Sequence, residues 1–261
     1  MYVVTNRVIG KGRTTKVFGH TPSPAGPNEL RMLELNKVKN KWKVSEIDDK
    51  LTQEQVTQLN KEHHLNLDIK ADWHGSLQVA CNVFKRAKVE NKAVLFFVHG
   101  YNNDIDDVLK AATELEALYE VIVVPFTWPA NGGGAISGTA SYLSDKADAR
   151  ASSGAFNRFV EKIQFFHRAL SEANVKSIRQ SVQHKYKDKD NPMAAAALYG
   201  NLVDKACKVK INLLCHSMGN YLLKHSLMTS DNKTSELVFD NINLVAADTN
   251  NKSHANWLDK I

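Results

Sequence analysis

The chain has 261 residues, of which 43% are hydrophobic and 24% charged, and its 34 Lys and Arg against 28 Asp and Glu leave a formal net charge of +6. That composition excludes a disordered or fibrous polypeptide and fits one soluble globular domain with a full core, spanning residues 1–261. The lysines read as scattered, with no basic stripe interleaved with aromatics, so no nucleic-acid partner is expected. No stretch is long and apolar enough for a membrane span, and Arg7 interrupts the short apolar run where a signal peptide would lie. Cys81, Cys207 and Cys215 have no metal-ligand spacing. They read as reduced, buried thiols of a cytoplasmic protein that needs no metal or cofactor.

Residues 1–50 read as strands and a hairpin at a sheet edge. Tyr2 to Arg7 is a strand candidate, and the prolines at 22, 24 and 27 mark a loop. Leu30 to Leu35 and Trp42 to Ile47 alternate around the polar turn Lys37 to Lys41, which predicts a β-hairpin. Thr52 with Gln55 reads as a capping box opening a helix to His63. A second helix is expected over 76–87, because Leu77, Ala80, Cys81, Phe84 and Ala87 recur at helical spacing.

From residue 93 the pattern changes to strand–helix units. Ala93 to Val98 is a near-continuous apolar run, as in a parallel strand buried on both faces. It ends in the polar turn His99-Gly100-Tyr101-Asn102-Asn103. Asp106 to Tyr119 has one apolar helical face. Val121 to Phe126 is the next strand and stops at Thr127-Trp128-Pro129. Asn131 to Gly134 lacks the spacing of a phosphate-binding loop and reads as a flexible connection. Tyr142 to Leu170 is mostly helical, with a core stripe of Phe156, Phe159, Val160, Ile163, Phe166 and Leu170. Lys185 to Pro192 is a charged connection, and Ala194 to Cys207 returns to helix. Asn241 to Ala247 reads as another buried strand, ending at Asp248.

Between these last two elements lies the stretch with chemistry in it. Lys210 to Cys215 is an apolar strand, His216-Ser217-Met218-Gly219 turns sharply, and Tyr221 to Met228 has helical spacing. Strand, serine, small residue and helix in that order read as a nucleophile elbow, with an ordinary strand-to-helix turn that contains a serine as the other reading. A tight turn lifts the hydroxyl clear of the sheet edge, and the helix N-terminus favours developing negative charge. Cys215 stands where the usual pattern has its first glycine.

His99-Gly100-Tyr101-Asn102, Trp128-Pro129, Tyr142 with Asp145, and His216-Ser217-Met218-Gly219-Asn220 form an ordered set. It resembles a bacterial α/β-hydrolase family catalogued as a domain of unknown function, with HGYN, WP and HSMGN turns. The resemblance spans the chain from about the first strand to Asp248. It implies an α/β-hydrolase fold, a mostly parallel sheet with helices on both faces, and a serine-hydrolase site at the carboxyl ends of the strands in the core, residues 93–261.

On that basis Ser217 is the expected nucleophile toward a small-molecule acyl substrate, and the backbone N–H groups of Tyr101 and Met218 are the expected oxyanion hole. His99 is a shaping residue of that turn. His216, beside the nucleophile on an extended segment, is not expected to be the base. Asp248 is the candidate acid, with a turn or helix-cap aspartate as the other reading. After Asp248 the sole histidine is His254, in a polar stretch with no following strand. Either His254 is recruited as base, or the domain lacks its C-terminal strands and the proper histidine with them. The second is the expectation, and with it goes self-association through an open sheet edge at Leu244. Three functions stay open: an esterase- or lipase-like serine hydrolase, a catalytically impaired hydrolase fold serving as a binding or interaction module, and a polyanion binder supported only by the basic isoelectric point.

Overall fold

The computed structural model describes residues 1–130, 138–187, 191–205, 209–229, 238–250 and 255–258. The glycine-rich connection at 131–134, Cys207 and His254 lie outside the described residues. The strands are β1 (Tyr2–Thr5), β2 (Arg7–Ile9), β3 (Phe18–Pro22), β4 (Arg31–Val38), β5 (Lys41–Glu46), β6 (Val94–Val98), β7 (Ile122–Thr127), β8 (Ile211–His216) and β9 (Asn241–Val245). The helices are α1 (Gln53–His63), α2 (Gly75–Glu90), α3 (Ile105–Tyr119), α4 (Thr139–Ala151), α5 (Ser153–Tyr186), α6 (Pro192–Lys205), α7 (Met218–Thr229) and the short α8 (Ala255–Leu258), with a 3₁₀ turn at Thr15–Val17. They fall into two compact units: Met1–Ile47 with Asn91–Lys162 and Lys210–Ile261, and Asp48–Glu90 with Ile163–Val209.

The first unit is built on a seven-stranded sheet in the order β5-β4-β1-β7-β6-β8-β9. From β1 to β9 all neighbours are parallel, and β4 and β5 join antiparallel at one side. The apolar runs of β6 and β7 are buried at every position, as strands covered on both faces must be. Leu95, Phe97 and Val123 face α3 through Val108 and Ala112. The alternate positions Phe96 and Phe126 meet Phe156 and Phe159 at the start of α5 on the other face. The β4–β5 hairpin closes through Lys39 and Asn40 at φ 49° and 60°, the two left-handed residues of a type I′ turn.

Two readings of the sequence change here. The N-terminal strand is not at the edge of the sheet. With Val3 and Val4 buried, β1 pairs with β4 on one side and β7 on the other. β9 is the reverse case. It is not a buried strand, because Asn241, Asn243 and Val245 are exposed while Ile242 and Leu244 are half-buried. It is the last strand of the described sheet, and the Asn-Ile-Asn-Leu alternation is that of a strand covered unevenly.

The second unit is helical. Thr52 and Gln55 form the expected capping box at the start of α1. Leu59, Leu65, Leu77, Cys81, Leu170 and Ala173 make its core. The long helical stretch after residue 139 is two helices, with a break at Ser152. The Ser152 hydroxyl donates to the Asp148 carbonyl and accepts from the Asn6 side chain, so the break is tied to the end of β1. α5 runs on to Tyr186, past the expected end at Leu170.

The Phe96–Phe126–Phe156–Phe159 group fills one face of the sheet, and Phe159 touches the other three rings. Phe159→Ala is expected to destabilise the protein by about 3–5 kcal/mol, the usual cost of emptying a packed aromatic site. Urea unfolding of the two proteins measures it, and a loss under about 1 kcal/mol would show that the site collapses without that ring.

Candidate functional site

Strand order decides where a site can form. From β6 the chain moves to β7 on one side, and later returns to β8 on the other side of β6. The connections leaving β6 and β8 therefore run to opposite sides of the sheet, to β7 and to β9, and such a switch point at the carboxyl ends of the strands is where open α/β sheets hold ligands. The turn after β6 is His99 to Asp104, and the turn after β8 is His216 to Met218.

These two turns touch backbone to backbone, and two glycines allow it. A Cβ on Gly219 would lie 2.7 Å from the Val98 carbonyl oxygen and 2.9 Å from that of His99. A Cβ on Gly100 would lie 2.9 Å from the Ser217 Cβ and 3.1 Å from His216 Nδ1. Ser217 itself sits at φ 49°, left-handed and strained for a non-glycine residue. Its N–H donates to the Val245 carbonyl at 2.9 Å, and its carbonyl accepts from the N–H of Asn220 at 3.0 Å and of Asp248 at 3.2 Å. The Asn220 amide donates to the carbonyls of Cys215, Ser217 and Val245 at 2.9, 3.0 and 3.1 Å. One buried side chain thus ties β8, the Ser217 turn and β9 together. Cys215 is wholly buried, and burial pushes its thiol far above the usual range, so it is inert packing beneath the serine.

The turn after β6 is braced from within. His99 is fully buried and stacks on Trp128 with ring centroids 4.9 Å apart. Its Nε2 accepts from the Trp128 N–H at 3.2 Å, so the ring proton sits on Nδ1 and donates to the Gly100 carbonyl at 2.9 Å. The Trp128 indole N–H donates back to the His99 carbonyl at 3.2 Å. Burial, helped by the nearby charge of Arg7, lowers the His99 pKa to about 3, and the ring is neutral.

Arg7 is 1% exposed and lies behind this turn. Its Nε donates to Thr127 Oγ1 at 2.9 Å, Nη1 to the carbonyls of Gly19 and Ala130 at 3.2 Å, and Nη2 to the Asn103 carbonyl at 3.0 Å. Burial pulls its pKa down to about 10, while the charges of Asp104, Asp145 and Asp148 work the other way. Asp145, also buried, accepts from the Asn102 N–H at 3.0 Å. The expected oxyanion turn is therefore held at Gly100, Asn102 and Asn103 by three different side chains.

Asp248 is brought to the Ser217 turn through its N–H, but its carboxylate goes elsewhere. Both oxygens accept from the Tyr142 hydroxyl, at 2.8 and 2.7 Å. Burial and then this bond raise the Tyr142 pKa, keeping the phenol protonated. Lys146 donates to the Tyr142 oxygen at 3.2 Å and lies over the ring of Tyr221, 4.6 Å from its centroid. The Tyr142 ring meets Tyr101 edge-on at 5.6 Å. Among the described residues no histidine hydrogen-bonds to Ser217 Oγ or to the Asp248 carboxylate. His216 is exposed.

Of the site residues expected from sequence, Ser217, Met218, Tyr101 and Asp248 thus all lie on segments that meet at the ends of β6 and β8. Arg7, Lys146 and the triple role of Asn220 were not foreseen. Arg7 read as a charge interrupting an apolar run, and a charge inside a strand-like run was the one available sign of a buried ion.

His99 supplies a test of the braced turn. Its folded pKa lies below the unfolded value, so between about pH 6.5 and 3 the unfolded chain binds the extra proton. Its contribution to stability is complete above that window and is lost as pH falls through it. Asp148, raised to about 6 by burial and by Asp145, acts in the opposite sense below that pH. His99→Asn is expected to cost about 1–3 kcal/mol near neutrality, since the Trp128 N–H loses its acceptor. It is also expected to flatten the fall in melting temperature between pH 6.5 and 5 relative to wild type, with Asp148 present in both. Parallel pH profiles would show that this ring does not titrate on unfolding.

Residues 78–183 match the model of one family, alpha/beta hydrolase of unknown function (DUF900). The matched stretch includes the His99 and Trp128 turns, Tyr142 and Asp145, and ends before Ser217. No curated protein and no solved structure matches the chain. The mostly parallel sheet and this match agree on an α/β-hydrolase fold, and the match over residues 78–183 is to the α/β-hydrolase family of unknown function that the motifs resemble.

Proposed function

We propose that the protein is a serine hydrolase of ester-type substrates working through an acyl-enzyme. The observation that carries this reading is Ser217 at φ 49° between β8 and α7, packed against Gly100 of the neighbouring turn. A strained serine at a strand–helix junction is how this fold presents a nucleophile. In this reading Ser217 Oγ attacks the ester carbonyl, its proton passes to a base, and the tetrahedral oxyanion is met by the N–H groups of Tyr101 and Met218. The first N–H groups of α7 have no partner inside the helix, which suits Met218 to that role. Collapse expels the alcohol and leaves the acyl group on Ser217, and water then releases the acid. Asp248 is the acidic member, oriented by Tyr142.

A second reading is favoured by a specific observation. The Asp248 carboxylate is engaged by Tyr142, and no imidazole reaches it among the described residues. A hydrolase fold so arranged serves as a binding or interaction module with little turnover.

Fluorophosphonate labelling separates the two, since it needs an activated serine. The expected result is labelling and p-nitrophenyl butyrate hydrolysis in wild type, both lost in Ser217→Ala; equal hydrolysis by the two proteins would remove Ser217 from the reaction. The oxyanion turn gives a second test. Tyr101→Phe keeps most activity, because only its N–H is used. Gly100→Val loses activity by at least about 100-fold, the typical cost of one oxyanion donor, since its Cβ would press on Ser217. If both variants are equally impaired, the Tyr101 hydroxyl has a part in the chemistry.

A further inference from the structure

The charge of this chain is not spread as its sequence first reads. Residues 1–45 contain nine Lys and Arg and two acidic residues, a net of +7, while the whole chain carries +6. The excess is thus confined to the first 45 residues, and the fold gathers it further. Lys37-Val38-Lys39-Asn40-Lys41-Trp42-Lys43 is the β4–β5 hairpin tip. This is a basic stripe with an aromatic in it, contrary to the expectation of scattered lysines. The Arg13 carbonyl accepts from the Val44 N–H at 3.0 Å, which lays the 11–16 segment beside β5. Lys11, Arg13 and Lys16 therefore join Lys37, Lys39, Lys41 and Lys43 at one corner of the first unit. All seven are exposed, and none makes an ion pair among the described residues.

Edge-strand lysines are often only guards against strand pairing. That does not account for this cluster, because three of its cations lie on the 11–16 segment, and that segment already occupies the free side of β5 at Val44. Seven unpaired cations on one corner repel one another unless an anionic surface meets them.

We infer that this hairpin corner docks on an anionic lipid bilayer surface. Three features favour a bilayer over a nucleic acid. Six of the seven cations are lysines, which act as point charges toward a diffuse surface potential and lack the planar fork that reads phosphates and bases. Trp42 is not offered for base stacking, since it packs against the Val44–Leu35 core cluster and lies under the Lys37 ammonium at 5.7 Å. Val38, 41% exposed and opposite Lys41 in the hairpin register, gives the tip an apolar contact suited to the headgroup boundary.

Co-sedimentation of the full chain tests this, with vesicles of phosphatidylcholine alone and of equal parts phosphatidylcholine and phosphatidylserine. Binding is expected to the anionic vesicles only, and to weaken as salt rises. Each surface lysine contributes roughly fivefold, so Lys39→Gln, Lys41→Gln and Lys43→Gln together are expected to lower binding on the order of 100-fold. Lys61→Gln, Lys70→Gln and Lys85→Gln together remove the same charge from the second unit and are expected to leave binding within a fewfold of wild type. Equal losses in the two triple variants would mean that net charge alone acts, and would overturn the assignment. So would equal binding to both vesicles, no binding to anionic vesicles at low salt, or tighter hairpin-dependent binding of a DNA or RNA oligonucleotide than of the vesicles at matched salt.

Discussion

A guanidinium shut away from water needs its donors paired and gives up little positional freedom in return. Arg7 sets that demand at the carboxyl end of the sheet, and the surrounding turns meet it with the carbonyls of Gly19, Ala130 and Asn103 and the hydroxyl of Thr127. No carboxylate lies within ion-pair distance of it among the described residues. Asp104, Asp145 and Asp148 act on it through the field instead. An isolated buried ion is costly, and removing any one partner leaves a donor unsatisfied. The consequence is rigidity where loops would otherwise be mobile. The His99 turn, the Trp128 turn and the start of β3 share one cation, and none can shift without breaking its bond. Thr127 passes this order to His99, whose Nε2 lies 3.1 Å from the threonine hydroxyl.

Much of the secondary structure was legible because its local signals agree with its tertiary setting. Ala93 to Val98 and Val121 to Phe126 are continuous apolar runs and become central parallel strands. The hairpin at 31–46 and the capping box at Thr52 follow from alternation and turn chemistry alone. β1 was misplaced because a four-residue apolar strand looks the same at an edge and in the middle. Only pairing partners distant in sequence decide that. β9 was misread in the other direction, its asparagines being the sign of a half-covered strand. At the site, the β8–α7 junction at Ser217 and the turn after β6 are contiguous in sequence, and their strand–turn–helix pattern could be read. The Arg7 bonds to Asn103, Thr127 and Ala130 and the Tyr142–Asp248 bond join residues 96 to 123 positions apart, and no local pattern encodes them.

The Tyr142–Lys146–Asp248 group bears on how the site would work. A carboxylate that accepts a phenol proton on both oxygens is fixed in orientation but is partly occupied. A histidine arriving at Asp248 would have to share it with Tyr142 or displace it. Lys146, one helical turn beyond Tyr142 and over the Tyr221 ring, keeps positive charge beside that carboxylate. The group links α4 to the segment after β9, so the position of the Asp248 carboxylate depends on packing across the end of the sheet as well as on its own strand.

The backbone at Ser217 has one more implication. A left-handed conformation costs an L-residue about 1–2 kcal/mol that a glycine would not incur. Glycine is the residue that stability alone would place at this turn. A chain of marginal stability that nevertheless holds a hydroxymethyl group there has given up a measurable part of its folding free energy to present one oxygen atom. On the proposed role of Ser217 as nucleophile, stability and activity are opposed at a single position, and a screen for thermal resistance that ignores activity would be drawn to replace this serine.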